Sequence, residues 1–111
     1  MYPSSLNNVI NSFKKLPGVG EKSAERNALA LIELSDEDID NFVEAIKDCK
    51  NKLHRCKICG HLTDSEICYI CENEHRRNDL ICVVEDYKRV FMFEKSGTFN
   101  GKYHVLNGLI S

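Results

Sequence analysis

Two pairs of cysteines hold the clearest chemistry in this chain. Cys56-Lys57-Ile58-Cys59-Gly60 is followed by Cys68-Tyr69-Ile70-Cys71, with an eight-residue loop between Cys59 and Cys68. Each Cys-x2-Cys places two sulfurs on one turn, about 3.5–4 Å apart, as neighbouring vertices of a tetrahedron. Two such turns make one four-sulfur site for a zinc ion, although sulfur ligation alone also admits iron. Four thiolates complete the coordination shell and leave no place for water, so the ion is structural. Gly60 allows the left-handed turn that aims backbone amides at the sulfurs. His54, His61 and His75 lie close in sequence and are alternative ligands, but the four-sulfur spacing is already complete.

A second constellation is Leu16-Pro17-Gly18-Val19-Gly20-Glu21-Lys22-Ser23-Ala24. Two glycines around an apolar residue make a tight turn between helices. The free N–H groups at the start of the following helix form an anion site suited to a phosphate. Lys22 and Arg26 are four residues apart, on one helix face, where they can touch neighbouring phosphates without reading bases. The plain alternative is a helix–helix turn with solvated charges. A dinucleotide loop is excluded because no strand precedes the glycines. A third candidate is Glu85, at the end of the apolar run Ile81–Val84, where α/β sheets gather functional groups. A lone carboxylate is not an acid–base or metal site, and no Asp-x-Asp follows it; a solvated strand-end acid is the alternative.

The elements that must position these residues follow from periodicity. Leu6, Val9, Ile10 and Phe13 predict a first helix to about Lys15, with Ser4 or Ser5 as N-cap. Ala24, Ala28, Leu29, Leu31 and Ile32 predict a second from Glu21 to about Leu34. Ser35-Asp36-Glu37-Asp38 resembles a capping box and opens a third, striped by Ile39, Phe42, Val43 and Ile46 and fading toward Leu53. These stripes are expected to be packing faces. Leu80–Val84 predicts a buried strand, Asp86–Lys95 a helix capped by Gly97, and Tyr103–Leu106 a second strand closed by Asn107-Gly108. Together they predict a βαβ unit with a parallel pair. Two strands are too few to stand alone, so the chain is expected to end inside a domain.

At 111 residues the chain holds one domain or a few very small ones. Its net charge of −2 excludes a broad basic field. Residues 1–34 carry four basic and three acidic groups, and residues 35–53 three basic and six acidic. Phosphate binding must therefore be local. No apolar run approaches the roughly 20 residues that span a bilayer, and Met-Tyr-Pro-Ser-Ser offers no signal-peptide pattern. A reducing cytoplasm is expected, where clustered cysteines bind metal. Cys49 and Cys82, outside the cluster spacing, are expected to be small core residues.

In this order, the motifs resemble the RecR family of bacterial recombination mediators. Leu16–Ala24 with Arg26 resembles its helix-hairpin-helix, and Cys56, Cys59, Cys68 and Cys71 its zinc finger. Ile81–Glu85 resembles its first Toprim strand, and Gly101–Gly108 with Ile110-Ser111 the next strand and its exit. Glu21 departs from a proline that many members carry. The resemblance implies an α+β chain: a helix-hairpin-helix domain (1–54), a four-cysteine zinc finger (55–77) and a truncated α/β Toprim fragment (78–111). It implies a non-enzymatic, sequence-independent DNA clamp for recombinational repair. Such a clamp is a homo-oligomer, cytoplasmic and nucleoid-associated, that acts with RecO and RecF to help load RecA. Gly18, Gly20, Lys22 and Arg26 match its DNA-binding positions and Glu85 its Toprim glutamate. Two other readings stand beside it. One is a zinc-stabilised interaction or dimerisation module without DNA binding of its own. The other is a Toprim nuclease or primase using Glu85 and Mg²⁺, against which the missing second carboxylate motif argues.

Overall fold

The computed structural model of the chain describes residues 1–107. Expectations placed on Gly108, Ile110 and Ser111 fall outside them. The chain divides into two compact units, Met1–Ile46 and a second that starts at Lys47. No helix among the described residues is long and apolar enough to cross a membrane.

The first unit is helical. Helix α1 (Ser4–Lys14) packs along α2 (Glu21–Ile32). The core between them is thin: Ile10, Ala24 and Ala28 are buried, flanked by Tyr2, Leu6, Val9, Phe13 and Val19. The two alanines let the helix axes approach closely. Pro3, not Ser4 or Ser5, occupies the N-cap of α1, with no side-chain cap bond. Proline's fixed φ already suits the approach to a helix, so the serines become its first residues. The expected start of α3 (Asp36–Lys52) is present, with the Ser35 hydroxyl accepting from the Asp38 N–H at 3.1 Å. Its apolar stripe is not packed, contrary to expectation. Phe42, Val43 and Ile46 are exposed, Ile46 at 56%, and no residue of α3 is buried. Cys49, on the same helix, is exposed rather than part of a core.

The second unit joins a small ribbon to a βαβ motif. Strands β1 (His54–Arg55) and β2 (Leu62–Thr63) pair antiparallel, and α4 (Tyr69–Glu72) is a single turn. Strand β3 (Ile81–Val84), helix α5 (Tyr87–Ser96) and strand β4 (Lys102–Val105) follow, with β3 and β4 parallel in the register Ile81↔Lys102 to Val84↔Val105. Asp86 caps α5 by accepting from the Lys88 and Arg89 amides, and Gly97 ends it in the left-handed conformation at φ 68°. The expected parallel unit is thus present, but β3 is only half-buried. Cys82 and Val84 face the core, whereas Ile81 and Val83 are each 60% exposed. Alternation on a two-stranded sheet covered on one side requires this.

One apolar cluster serves both halves of this unit. It contains Cys56, Cys59, Cys68 and Ile70 from the ribbon and Val84, Val90, Tyr103 and Val105 from the βαβ motif, with Cys82 packed against it. Backbone bonds tie the same parts together: Val105 N–H donates to Cys59 O at 2.8 Å, and Arg77 N–H to Asn100 O at 2.8 Å. The fold class is α+β, as expected.

Candidate metal centre and helical hairpin

The two cysteine turns are built differently. In the first, Gly60 N–H donates to Cys56 O at 2.9 Å and Cys56 N–H to His61 O at 2.7 Å, closing the loop onto the ribbon. Gly60 sits at φ +84°, and a side chain there would meet Arg55 and the Val105 carbonyl. In the second, Cys68 precedes α4, whose turn presents Cys71 beside it. Across the pairs, the sulfurs of Cys56 and Cys71 lie 3.8 Å apart and those of Cys59 and Cys68 3.7 Å. All four lie within 4.8 Å of one another, and none is in a disulfide. Amides point at two of them: His61 N–H to Cys59 Sγ and Cys68 N–H to Cys56 Sγ, both at 3.3 Å.

The donor set fits one tetrahedral ion. Four thiols this close cannot all ionise without a cation. The hydrogen bond from Cys59 lowers Cys68 to about 4. Sharing that proton raises Cys59 strongly, and burial pushes Cys71 up to about 12. A divalent ion lets all four become thiolates, with the amides stabilising the charge. Cys56, Cys59, Cys68 and Cys71 are thus placed to accept one metal ion such as zinc, which would tie the two turns together.

His61 is not one of the ligands. It is buried to 1% exposure, and neither ring nitrogen has a hydrogen-bond partner among the described residues. Its ring meets Phe91 edge-on at 4.7 Å, and burial depresses its pKa. The cost of its unpartnered nitrogens is limited by remaining neutral. His54 and His75 also lie outside the metal cluster.

Polar groups that no motif announced brace the centre. The Arg76 guanidinium pairs with Glu94 and donates to the carbonyls of Phe99 and Gly101, and Tyr103 OH donates to Glu94 at 2.6 Å. Arg76 holds the Glu94 carboxyl below the usual carboxylate range. Lys102, on β4, donates to the carbonyls of Ile70, Cys71 and Asn73 at 3.0, 3.0 and 3.2 Å. These partners are 9 to 32 residues apart in sequence, and no local spacing could have found them.

In the first unit, Leu16–Gly20 forms the turn between α1 and α2. Gly18 has φ +82°, and Val19 is anchored in the small core. Gly20 is the N-cap of α2 with extended backbone at φ −84° and ψ −177°, and no side chain caps the helix. The first N–H groups of α2 therefore face outward without a capping partner. Lys22 and Arg26 make no ion pair among the described residues; Lys22 is exposed and Arg26 lies beside it on the same helix. Glu21 instead pairs with Lys14 at 2.6 Å. Glu85 is exposed at the end of β3. It belongs to no group of three or more metal-ligating side chains among the described residues.

Comparisons with known proteins cover both the helical hairpin and the cysteine turns. The family model for the RecR helix-hairpin-helix matches residues 6–50, and the model for the RecR four-cysteine zinc finger domain matches residues 53–73. Recombination protein RecR of Staphylococcus aureus strain MRSA252 is 46% identical over 110 residues, covering 99% of this chain and 56% of that protein. Its counterpart in strain JH9 is 44% identical with the same coverage. The chain spans about half the length of the curated relatives it matches.

Proposed function

The chain belongs to the RecR family of recombination proteins, and from that premise we propose that it binds DNA in recombinational repair through the turn between α1 and α2. Gly18 and Gly20 bring bare backbone to a phosphate, the open N–H groups of α2 accept its charge, and Lys22 and Arg26 take neighbouring phosphates. One observation carries this reading. Gly20 is neither left-handed nor crowded: a Cβ there would meet nothing within 4 Å. Glycine suits the N-cap of α2, and with no side chain it also leaves bare backbone there that an outside anion can approach closely. The pairing of Glu21 with Lys14 offsets the acid beside the site.

The reading includes the division into a helix-hairpin-helix domain (1–54), a zinc finger (55–77) and a partial Toprim domain (78–111), with Glu85 at the Toprim acidic position. Within the longer family protein this region forms part of a non-enzymatic homo-oligomeric clamp that acts with RecO and RecF to help load RecA. The exposed apolar residues of α2 and α3, Leu29, Ile32, Phe42, Val43 and Ile46, favour self-association of the first unit.

The test is fluorescence anisotropy of a labelled oligonucleotide at several salt concentrations. Lys22→Ala with Arg26→Ala should weaken binding and reduce the slope of log K against log salt by up to about 2. Unchanged affinity and slope would remove the hairpin from the DNA site.

A further inference from the structure

We propose that Lys102 is a positioning residue for the metal centre, holding the Cys68–Cys71 turn from the neighbouring strand. The first cysteine pair is held through its backbone, by the ribbon and by Val105 N–H, which donates to Cys59 O at 2.8 Å. Strands β1 and β2 frame it, Gly60 closes its loop, and backbone bonds of 2.9 and 2.7 Å lock it. The second pair has no such frame. Its turn, α4, is four residues long and leads into the loop after Cys71. Around it, Ile70 O accepts from Asn73 N–H at 3.3 Å and Asn73 O from Arg76 N–H at 3.2 Å, whereas Cys71 O has no backbone donor among the described residues. The Lys102 ammonium places itself over the carbonyls of Ile70, Cys71 and Asn73, before, at and after the last ligand.

The chemistry suits lysine specifically. An ammonium has three donors arranged as a tripod, and three carbonyls meet it here. An arginine fork is planar and cannot cover the same three oxygens. Lys102 is itself fixed by β4, because its N–H donates to Leu80 O at 2.8 Å and its strand pairs with β3. The βαβ motif thus reaches across to the outer side of the metal centre. Partners of this kind, which orient ligands without touching the metal, typically change metal affinity by about 10–100-fold when removed.

The experiment uses the zinc-loaded 111-residue chain under limiting N-ethylmaleimide, with alkylation of each cysteine followed by mass spectrometry. Lys102→Met keeps an unbranched stem in the groove that Ile58, Ile81 and Val83 also line and removes the donors. Alkylation of Cys68 and Cys71 should accelerate about tenfold relative to Cys56 and Cys59. Glu94→Gln serves as the control, because it weakens the same unit without touching the α4 carbonyls; its ratio should stay at the wild-type value. Lys102→Arg, which keeps the charge, should shift the ratio in the same direction by a few-fold. That variant decides the matter if Lys102→Met does not fold. An unchanged ratio in the Lys102 variants, or an equal shift in Glu94→Gln, would overturn the proposal.

Discussion

Gly18 and Gly60 share nearly the same left-handed φ, +82° and +84°, in the two units of the chain. A Cβ at Gly18 would meet nothing within 4 Å; at Gly60 it would meet Arg55 and the Val105 carbonyl. The difference holds for the units as wholes. The first turns its glycines and its apolar stripe on α3 outward, over a core of three buried residues. The second uses its glycine to let parts distant in sequence close on one another around the metal. The first is arranged for something outside it, and the second for its own cohesion.

Metal removal should separate the two most sharply. Structural zinc in small domains contributes about 10–16 kcal/mol of apparent binding free energy. Chelation, or Cys56→Ser, should therefore abolish the fold of the second unit. Amide cross-peaks from residues 1–46 should persist while those from the ribbon and the βαβ motif collapse. Simultaneous loss of both sets would show that the units are not separately stable.

Ile10→Ala tests the reverse. Truncating a buried isoleucine costs about 2–5 kcal/mol, a large share of what so thin a core can supply. Thermal unfolding by circular dichroism should lose the first unit while cobalt-loaded spectra of the cysteine site stay unchanged.

Glu94→Gln should cost about 2 kcal/mol by leaving Arg76 without its carboxylate, given that both side chains keep some solvent access. The sign of its pH dependence follows from the depressed carboxyl. The stabilisation is fully present above the unfolded value of about 4.3 and is lost as pH falls through the lower folded value. The stability gap between wild type and variant, read from urea midpoints, should be widest at neutral pH, begin to narrow near the unfolded value and close as pH falls through the lower folded value. Acid also attacks the thiolates, but it does so in both proteins and cancels in the difference.

The glycines should have effects no larger than that of Glu94→Gln. Gly18→Ala should cost about 1 kcal/mol for the left-handed backbone alone. Gly60→Ala should cost about 1 kcal/mol more, because Arg55 must give up its bond to Val105 O. Gly20→Ala should cost about 0.5–1 kcal/mol in stability, because alanine is the poorer N-cap, while lowering DNA affinity. Equal urea midpoints for the Gly18 and Gly60 variants would erase the contrast between the units.

The cysteine turns, the glycine hairpin, the three N-terminal helices and the parallel βαβ motif are all legible in order. Each depends on residues a few positions apart, so local spacing carries the information. Exposure is not legible. The stripe Phe42, Val43 and Ile46 and the strand Ile81–Val84 have the composition of covered faces, yet both are open on one side among the described residues. Periodicity reports that a face is apolar and says nothing of what lies against it. The expectation of a core position for Cys49 fails for the same reason.

What the sequence determined by itself was the chemistry at short range: four thiols on two turns, bare backbone before a helix, and cations four residues apart. Only the tertiary structure decided which side chains hold those pieces in place. Arg76 on Glu94, Tyr103 beside them, Lys102 over the Cys71 turn and the unpartnered ring of His61 come from chain segments brought together by folding. Covalent geometry limits what neighbours can do and so writes itself into spacing. A long-range hydrogen bond needs only a donor and an acceptor delivered to the same place, and an ordinary lysine in a short strand carries no mark of where its ammonium will arrive.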